Sequence, residues 1–349
     1  MAYISFQPSD FFSAIPFVGN TGGVPTTVTG VGFQPDWVWF CNREVINDRW
    51  IFDSVRGVEK YIESNTTQVD TTDVQGLQSF NADGFTVGDA NPINQNTKDI
   101  ISWNWKMGTT SGIAGSPSIT PSSYSFSATA GQSIIAYTGN VTSGATLPHG
   151  LGVAPKMIIV KALESADPWT IYHSAADATA PEDKYMVLDT SAAVADATWA
   201  WNDTAPTSTL FSLGNAGEVN ASGSDYIAYC FADVKGYSRF GGYTGNGTAD
   251  GAFIYTGFRP AFVLIKSTSG AGSWAMFDDK RDGYNVDNDH VSANTTEVEQ
   301  TDNTIDIVSN GFKARNTTNQ VNGSGWIYVY MAFAKNPIVS SNGVPTVAR

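Results

Sequence analysis

A pattern that returns three times along the chain limits what the chain can fold into. Phe17-Val18-Gly19-Asn20, Tyr137-Thr138-Gly139-Asn140 and Tyr243-Thr244-Gly245-Asn246 open three copies. Each copy then carries a glycine, two residues and a proline: Gly32 and Pro35, Gly152 and Pro155, Gly257 and Pro260. An apolar run follows each proline, at 37–40, 157–160 and 262–265, and Lys161 and Lys266 close the second and third runs. A tryptophan comes next, Trp50, Trp169 or Trp274, and starts another short apolar run. The back halves repeat as well. Asp83-Gly84-Phe85 matches Asn310-Gly311-Phe312, and Asn220-Ala221-Ser222-Gly223 matches Asn322-Gly323-Ser324-Gly325. Internal similarity of this kind means one structural unit used repeatedly.

The copies define modules at 11–108, 131–236 and 237–338, with an N-terminal segment at 1–10 and a C-terminal tail at 339–349. Residues 109–130 are rich in Ser, Thr, Gly and Pro and read as a linker. Almost nothing separates modules two and three, so these two should pack on each other. Each module holds about six short strand-like runs bounded by turns, the number expected of an antiparallel sandwich. Charged residues make up only 15% of the chain, too few for many exposed helix faces. The expected fold is all-β: three tandem antiparallel β-sandwich-like modules, with a closed barrel as the alternative. Modules two and three should superpose with Trp169 over Trp274 and Pro155 over Pro260, and module one should match less well.

The net charge of −14 comes from 33 acidic residues against 19 scattered basic ones. A polyanion is bound by clustered Lys and Arg that displace counterions, so the charge argues against nucleic acid. It fits solubility and mutual repulsion. No apolar run approaches the roughly 20 residues that span a bilayer, so no membrane insertion is expected. The first residues lack a basic region followed by an apolar stretch, so no secretory leader is expected. Cys41 ends the apolar run 37–40 and Cys230 lies inside the run 226–231 of another module, and both read as buried, unpaired thiols. That suits synthesis in a reducing cytoplasm.

Candidate sites are few. Trp50, Trp169 and Trp274 recur at one place in the repeat and read as fold-pinning residues. Trp199 and Trp201 have no counterpart in the other copies. Strand periodicity would put them on one face, as a shelf for ligand binding or an interface. Asp278, Asp279, Asp282, Asp287 and Asp289 crowd one loop with Arg281 and His290. Copy one has a related Asp53 and Arg56, so part of that loop reads as a turn held by an Asp–Arg pair. Metal coordination and partner contact are weaker readings, because the loop lacks a calcium-binding pattern. His149, His173 and His290 lie in unrelated contexts, and no Cys/His spacing points to zinc. No nucleophile elbow appears, and 33 acidic residues make a carboxylate pair uninformative. The sequence points to no enzyme and no cofactor. Tyr3, Ile4, Phe6, Phe11 and Phe12 form an apolar N-terminal segment ahead of the first module, a candidate contact with another subunit or protein.

The run from His149 to Lys161, then Trp169 with Tyr172-His173, then residues 201–208 and 226–232, resembles a repeat family of tailed-bacteriophage virion proteins. The third copy fits the same family through residues 242–247, 258–260, 263–266 and 332–334, and Trp103-Asn104-Trp105-Lys106 before the linker is a further feature of it. The resemblance covers nearly the whole chain. It implies a tail fibre or receptor-binding component, found in the virion and made in the host cytoplasm. Such a protein would present loops to a host surface glycan or protein and would contact other virion proteins. The family supplies no catalytic residues. A head decoration or head-fibre protein is the alternative, and a glycan-cleaving enzyme the second. No heptad stalk is present. Phage appendages gain from multivalency, so a homo-oligomer, a trimer, is expected.

Overall fold

Each proline-led apolar run becomes the central strand of a sheet. In the computed structural model these strands are Trp37–Asn42, Met157–Ala162 and Phe258–Ser267. The structure describes residues 4–337 except 21, 23–24, 282–284, 286–288 and 303. In every module the large sheet has the same antiparallel order. A leading strand (Phe12–Val18, Gln132–Thr138 or Ser238–Thr244) pairs with a closing strand (Asp99–Trp105, Asp225–Phe231 or Ile327–Pro337). The closing strand pairs with the central strand. A fourth strand follows (Trp50–Asp53, Thr170–His173 or Ala275–Asp278), then a fifth (Lys60–Glu63, Lys184–Val187 or Val291–Ser292).

The registers are equivalent. Trp37 lies opposite Trp105, Met157 opposite Phe231, and Phe262 opposite Phe333. Side chains alternate along a strand, so each central strand has two apolar faces. One face packs on a small second sheet of the same module. Val38 and Phe40, Ile158 and Val160, and Val263 and Ile265 belong to three separate module cores. The other face joins a single core shared by all three modules, which holds Trp37, Trp39, Met157, Ile159, Phe262 and Leu264 together. Trp37 stacks on Tyr229 of module two, and Trp105 meets Phe262 and Phe333 of module three. Three sandwiches therefore stand with their large sheets facing one axis.

The contacts around that axis are cyclic. Asp70 N in module one donates to Leu163 O in module two, Val194 N in module two to Thr268 O in module three, and Glu299 N in module three to Arg43 O in module one. Arg43, Leu163 and Thr268 are equivalent, each placed just past its central strand. The ring thus closes on itself with threefold pseudosymmetry inside one chain, the head-to-tail geometry of a cyclic trimer.

Within each module a buried asparagine fastens the turn after the leading strand. Asn94, Asn220 and Asn322 accept from the backbone N–H of Asn20, Asn140 and Asn246 at 2.8, 2.8 and 2.9 Å. Their amide groups donate to main-chain carbonyls, among them Gly88, Gly214 and Asn316. The glycine ahead of each turn is required, because a Cβ at Gly19, Gly139 or Gly245 would collide with a backbone carbonyl oxygen.

Four expectations need correction. Register makes Arg49, not Trp50, the equivalent of Trp169 and Trp274, since Ile51, Ile171 and Met276 occupy matching places opposite Trp39, Ile159 and Leu264. Trp50 is one residue on and faces the module-one core, stacked on Tyr61 at 3.7 Å. The linker is not free-running: its Ser123–Ser127 is a strand on the leading strand of module two. Residues Thr198–Trp201 are a short helix, not a strand. The N-terminal apolar residues are used inside the chain. Ile4 and Phe12 are in the shared core, and Phe6 and Phe11 pack on each other and on Tyr237 of module three. Tyr3 and the tail 339–349 lie outside the described residues.

Candidate binding surfaces

Most of the chemically distinctive side chains serve the ring. Trp169 Nε1 donates to Glu63 O at 2.9 Å, Trp274 Nε1 to Val187 O at 2.9 Å, and Arg49 Nε to Ser292 O at 3.3 Å. Those three carbonyls are equivalent, each opposite the first residue of its fourth strand. Arg49 also donates to Glu297 O. Close by, Lys161 Nζ donates to Thr67 O of module one at 3.1 Å, and Lys266 Nζ to Ser191 O of module two at 3.3 Å. Burial lowers both lysines to about 8. The equivalent of these lysines in module one is Cys41, whose thiol burial pushes up. So each interface has a buried cation on neighbouring carbonyls: Lys beside Trp twice, and Arg beside Cys once.

The described aspartates of the acidic loop have partners too. Asp278 holds Arg281 at 2.6 Å and accepts from Trp103 Nε1 of module one at 3.0 Å. Asp53 does the same with Arg56 at 2.6 Å and Tyr229 of module two at 2.7 Å. Here the shared Asp–Arg turn inferred from the repeat is present. In module two the pair becomes His173 and Ala176, and His173 Nε2 meets Tyr330 O at 3.1 Å. Asp279 pairs with Lys335 at 2.5 Å. Asp289 and His290 are buried, and Asp282 and Asp287 lie outside the described residues. Among the described residues no three His, Cys, Asp or Glu side chains converge as a metal site would need. Burial lowers His149, His173 and His290 each to about 4. Cys41 and Cys230 are buried and free.

What threefold packing does not demand stands outside. Trp201 is buried in module two against Tyr172, but Trp199 is half-buried and leans on Tyr185, with centroids 4.5 Å apart at 57°. The helical turn separates the two tryptophans, so only Trp199 can meet a ligand. Carboxylates surround it: Asp203 accepts from Thr198 Oγ1 at 2.7 Å, and Asp196 pairs with Lys184 at 2.6 Å. Asp183 is raised by desolvation and by the charges of Asp203, Asp196 and Glu182. In module three Phe253 and Tyr255 are 50% and 59% exposed on the edge strand Phe253–Tyr255. Tyr255 borders a cleft of about 460 Å³ that also holds Asp233, Lys235 and Arg239. Aromatic faces flanked by carboxylates and cations can stack on a sugar ring and hydrogen-bond its hydroxyls. Tyr185, Phe253 and Tyr255 were missed in the sequence. A signal for the last two existed: aromatics at strand spacing where module one has Thr27 and Thr29.

No helix of the described residues is long and apolar enough to cross a membrane. No curated protein and no solved structure matches the chain. One family model runs through all three modules without interruption, over residues 7–337. The chain therefore belongs to the family described as "Domain of unknown function (DUF7483)".

Proposed function

We propose that this chain is a structural protein of a tailed-phage virion, a tail fibre or receptor-binding component that presents its outer loops to a host surface glycan or protein. The observation that carries the reading is the division of labour in the ring. Buried aromatic, cationic and carboxylate groups at the axis are committed to holding modules together. The half-exposed aromatics at Trp199, Tyr185, Phe253 and Tyr255 differ from copy to copy and face outward. A rigid scaffold with variable outer surfaces is what a binder needs. Other virion proteins and further copies of this chain, a trimer included, would meet it through outer surfaces, because the inward faces are used up.

The threefold outline also favours one alternative, a head decoration protein seated on a threefold position of the capsid. Immunogold labelling of intact virions separates the two: label at the tail supports the proposal, and label over the head replaces it with the alternative. Binding of the purified chain to host cells, reduced at least about fivefold (roughly 1 kcal/mol) by Trp199→Ala or Tyr255→Ala, is the expected second result. Release of reducing ends from host polysaccharide would instead indicate a glycan-cleaving enzyme.

A further inference from the structure

The small sheet of module two is closed at its edge by a segment from outside the module. Thr146, in the edge strand Ala145–Pro148, donates its N–H to Ser118 Oγ at 2.7 Å. Its carbonyl accepts from Ile119 N at 3.0 Å, and its hydroxyl accepts from Ser118 N at 3.0 Å. Ile119 is buried in the module-two core. The linker that leaves module one thus seals an edge of module two.

Module one has the same edge. In the strand Thr26–Thr29, Val28 lies opposite Phe85 as Leu147 lies opposite Phe211, so Thr27 stands where Thr146 stands. Antiparallel pairing alternates inward and outward main-chain groups. Gly144 N to Leu213 O and His149 N to Thr209 O turn those of Thr146 outward, and equivalent register turns those of Thr27 outward. Among the described residues this strand ends its sheet.

The sequence carries a second segment of the same pattern. Twelve residues after Trp105 the linker reads Pro117-Ser118-Ile119-Thr120, and twelve residues after the equivalent Phe333 the chain reads Pro345-Thr346-Val347-Ala348. Gly115 and Gly343 precede each by the same spacing. Hydroxyl and β-branched residues coincide without a gap. Direction agrees as well. The ring places module one after module three as it places module two after module one, through Glu299 N to Arg43 O and Asp70 N to Leu163 O. By that order module one stands to the chain that follows module three as module two stands to the linker, with the same number of residues to the matching motif.

We propose that the outer edge of Thr26–Thr29 is the docking site for residues 345–348 of the same chain, with Thr346 and Val347 taking the parts of Ser118 and Ile119. No such segment leaves module two, whose link to module three is short, and there the equivalent edge keeps its bare aromatics, Phe253 and Tyr255.

The test is disulfide trapping in the full chain. Thr27→Cys with Thr346→Cys should cross-link within one chain under mild oxidation, to the same extent as the reference pair Ser118→Cys with Thr146→Cys. If the reference pair links and the other does not, or links only two chains together, the proposal is overturned. Hydrogen exchange gives a second readout. Val347→Pro removes the donor meant for Thr27 O and should speed exchange at the Thr27 amide by about tenfold or more. Unchanged exchange would also overturn it.

Discussion

Arg49 in module one holds the position of Trp169 in module two, and both side chains donate to equivalent carbonyls of the preceding module in the ring, Ser292 O and Glu63 O. The substitution is matched on the adjacent strand, where Cys41 replaces Lys161. At this position each interface keeps a cation that reaches main-chain carbonyls, and only its point of attachment moves. A buried cation without partners is costly, and two would repel each other.

This exchange should be separable by mutation. Arg49→Trp alone removes the cation that reaches the Ser292 and Glu297 carbonyls. Cys41→Lys alone adds a cation where Arg49, Arg281 and Arg43 already act. Each should destabilise by about 3 kcal/mol. The double variant restores the chemistry of modules two and three, so its loss should fall short of the sum by about 1–3 kcal/mol. Urea unfolding of the four proteins reads the coupling, and simple additivity would contradict the exchange.

The buried asparagines should be nearly irreplaceable. Asn220→Ala or Asn322→Ala leaves several buried and part-buried backbone groups without their partners. A loss of roughly 2–4 kcal/mol is expected for either. Thermal unfolding checks it, and a change under about 0.5 kcal/mol would mean that these turns hold without their clamps.

Acid should weaken the fold before the carboxylates titrate. His149 and His173 accept main-chain N–H groups from Leu151 and Ala175 at Nδ1 and meet carbonyls at Nε2, which fixes each ring as the neutral form with its proton on Nε2. Burial lowers both from 6.5 to about 4. Between those values the unfolded chain binds protons that the folded chain refuses. Their stabilisation is therefore complete above pH 6.5 and is lost as pH falls toward 4. For His173, fully buried, the shift corresponds to roughly 3 kcal/mol. The melting temperature should fall steadily from pH 6.5 to 4.5, and less so in His173→Gln.

Neither thiol should react in the native protein. Burial raises Cys230 to about 12, and Cys41 is raised for the same reason. A thiol reagent at pH 8 should modify both only as fast as the chain unfolds. Rapid labelling of either would place it nearer solvent than its core allows, the shared core for Cys41 and the module-two core for Cys230.

The strands and turns were legible because their causes are local. Gly-Asn pairs marked the turns, and the prolines marked the start of each central strand. Asp83-Gly84 and Asn310-Gly311 marked hairpins that form as expected, with Asn81 opposite Gly84 and Val308 opposite Gly311. Arg49 was missed because Trp50 matched by identity, although a one-residue slip turns a strand side chain to the other face. Asn94 was missed because Asn94-Gln95-Asn96-Thr97 lacks the Ser-Gly that marks the turns after Asn220 and Asn322. The ring itself left only indirect marks, since its contacts join residues as distant as Arg43 and Glu299. Two-faced apolar strands such as 157–160 were the trace of it. A strand apolar on both sides must be covered twice, and one small sheet covers it once.

The ring also bears on how the molecule must be observed. Its backbone repeats every third of a turn, while Trp199 and Tyr255 each occur once per circuit. An image reconstruction that imposes threefold averaging would sharpen the axis and dilute each of these surfaces among two unlike neighbours. Only an unaveraged map, aligned on the features that differ, would keep them in view.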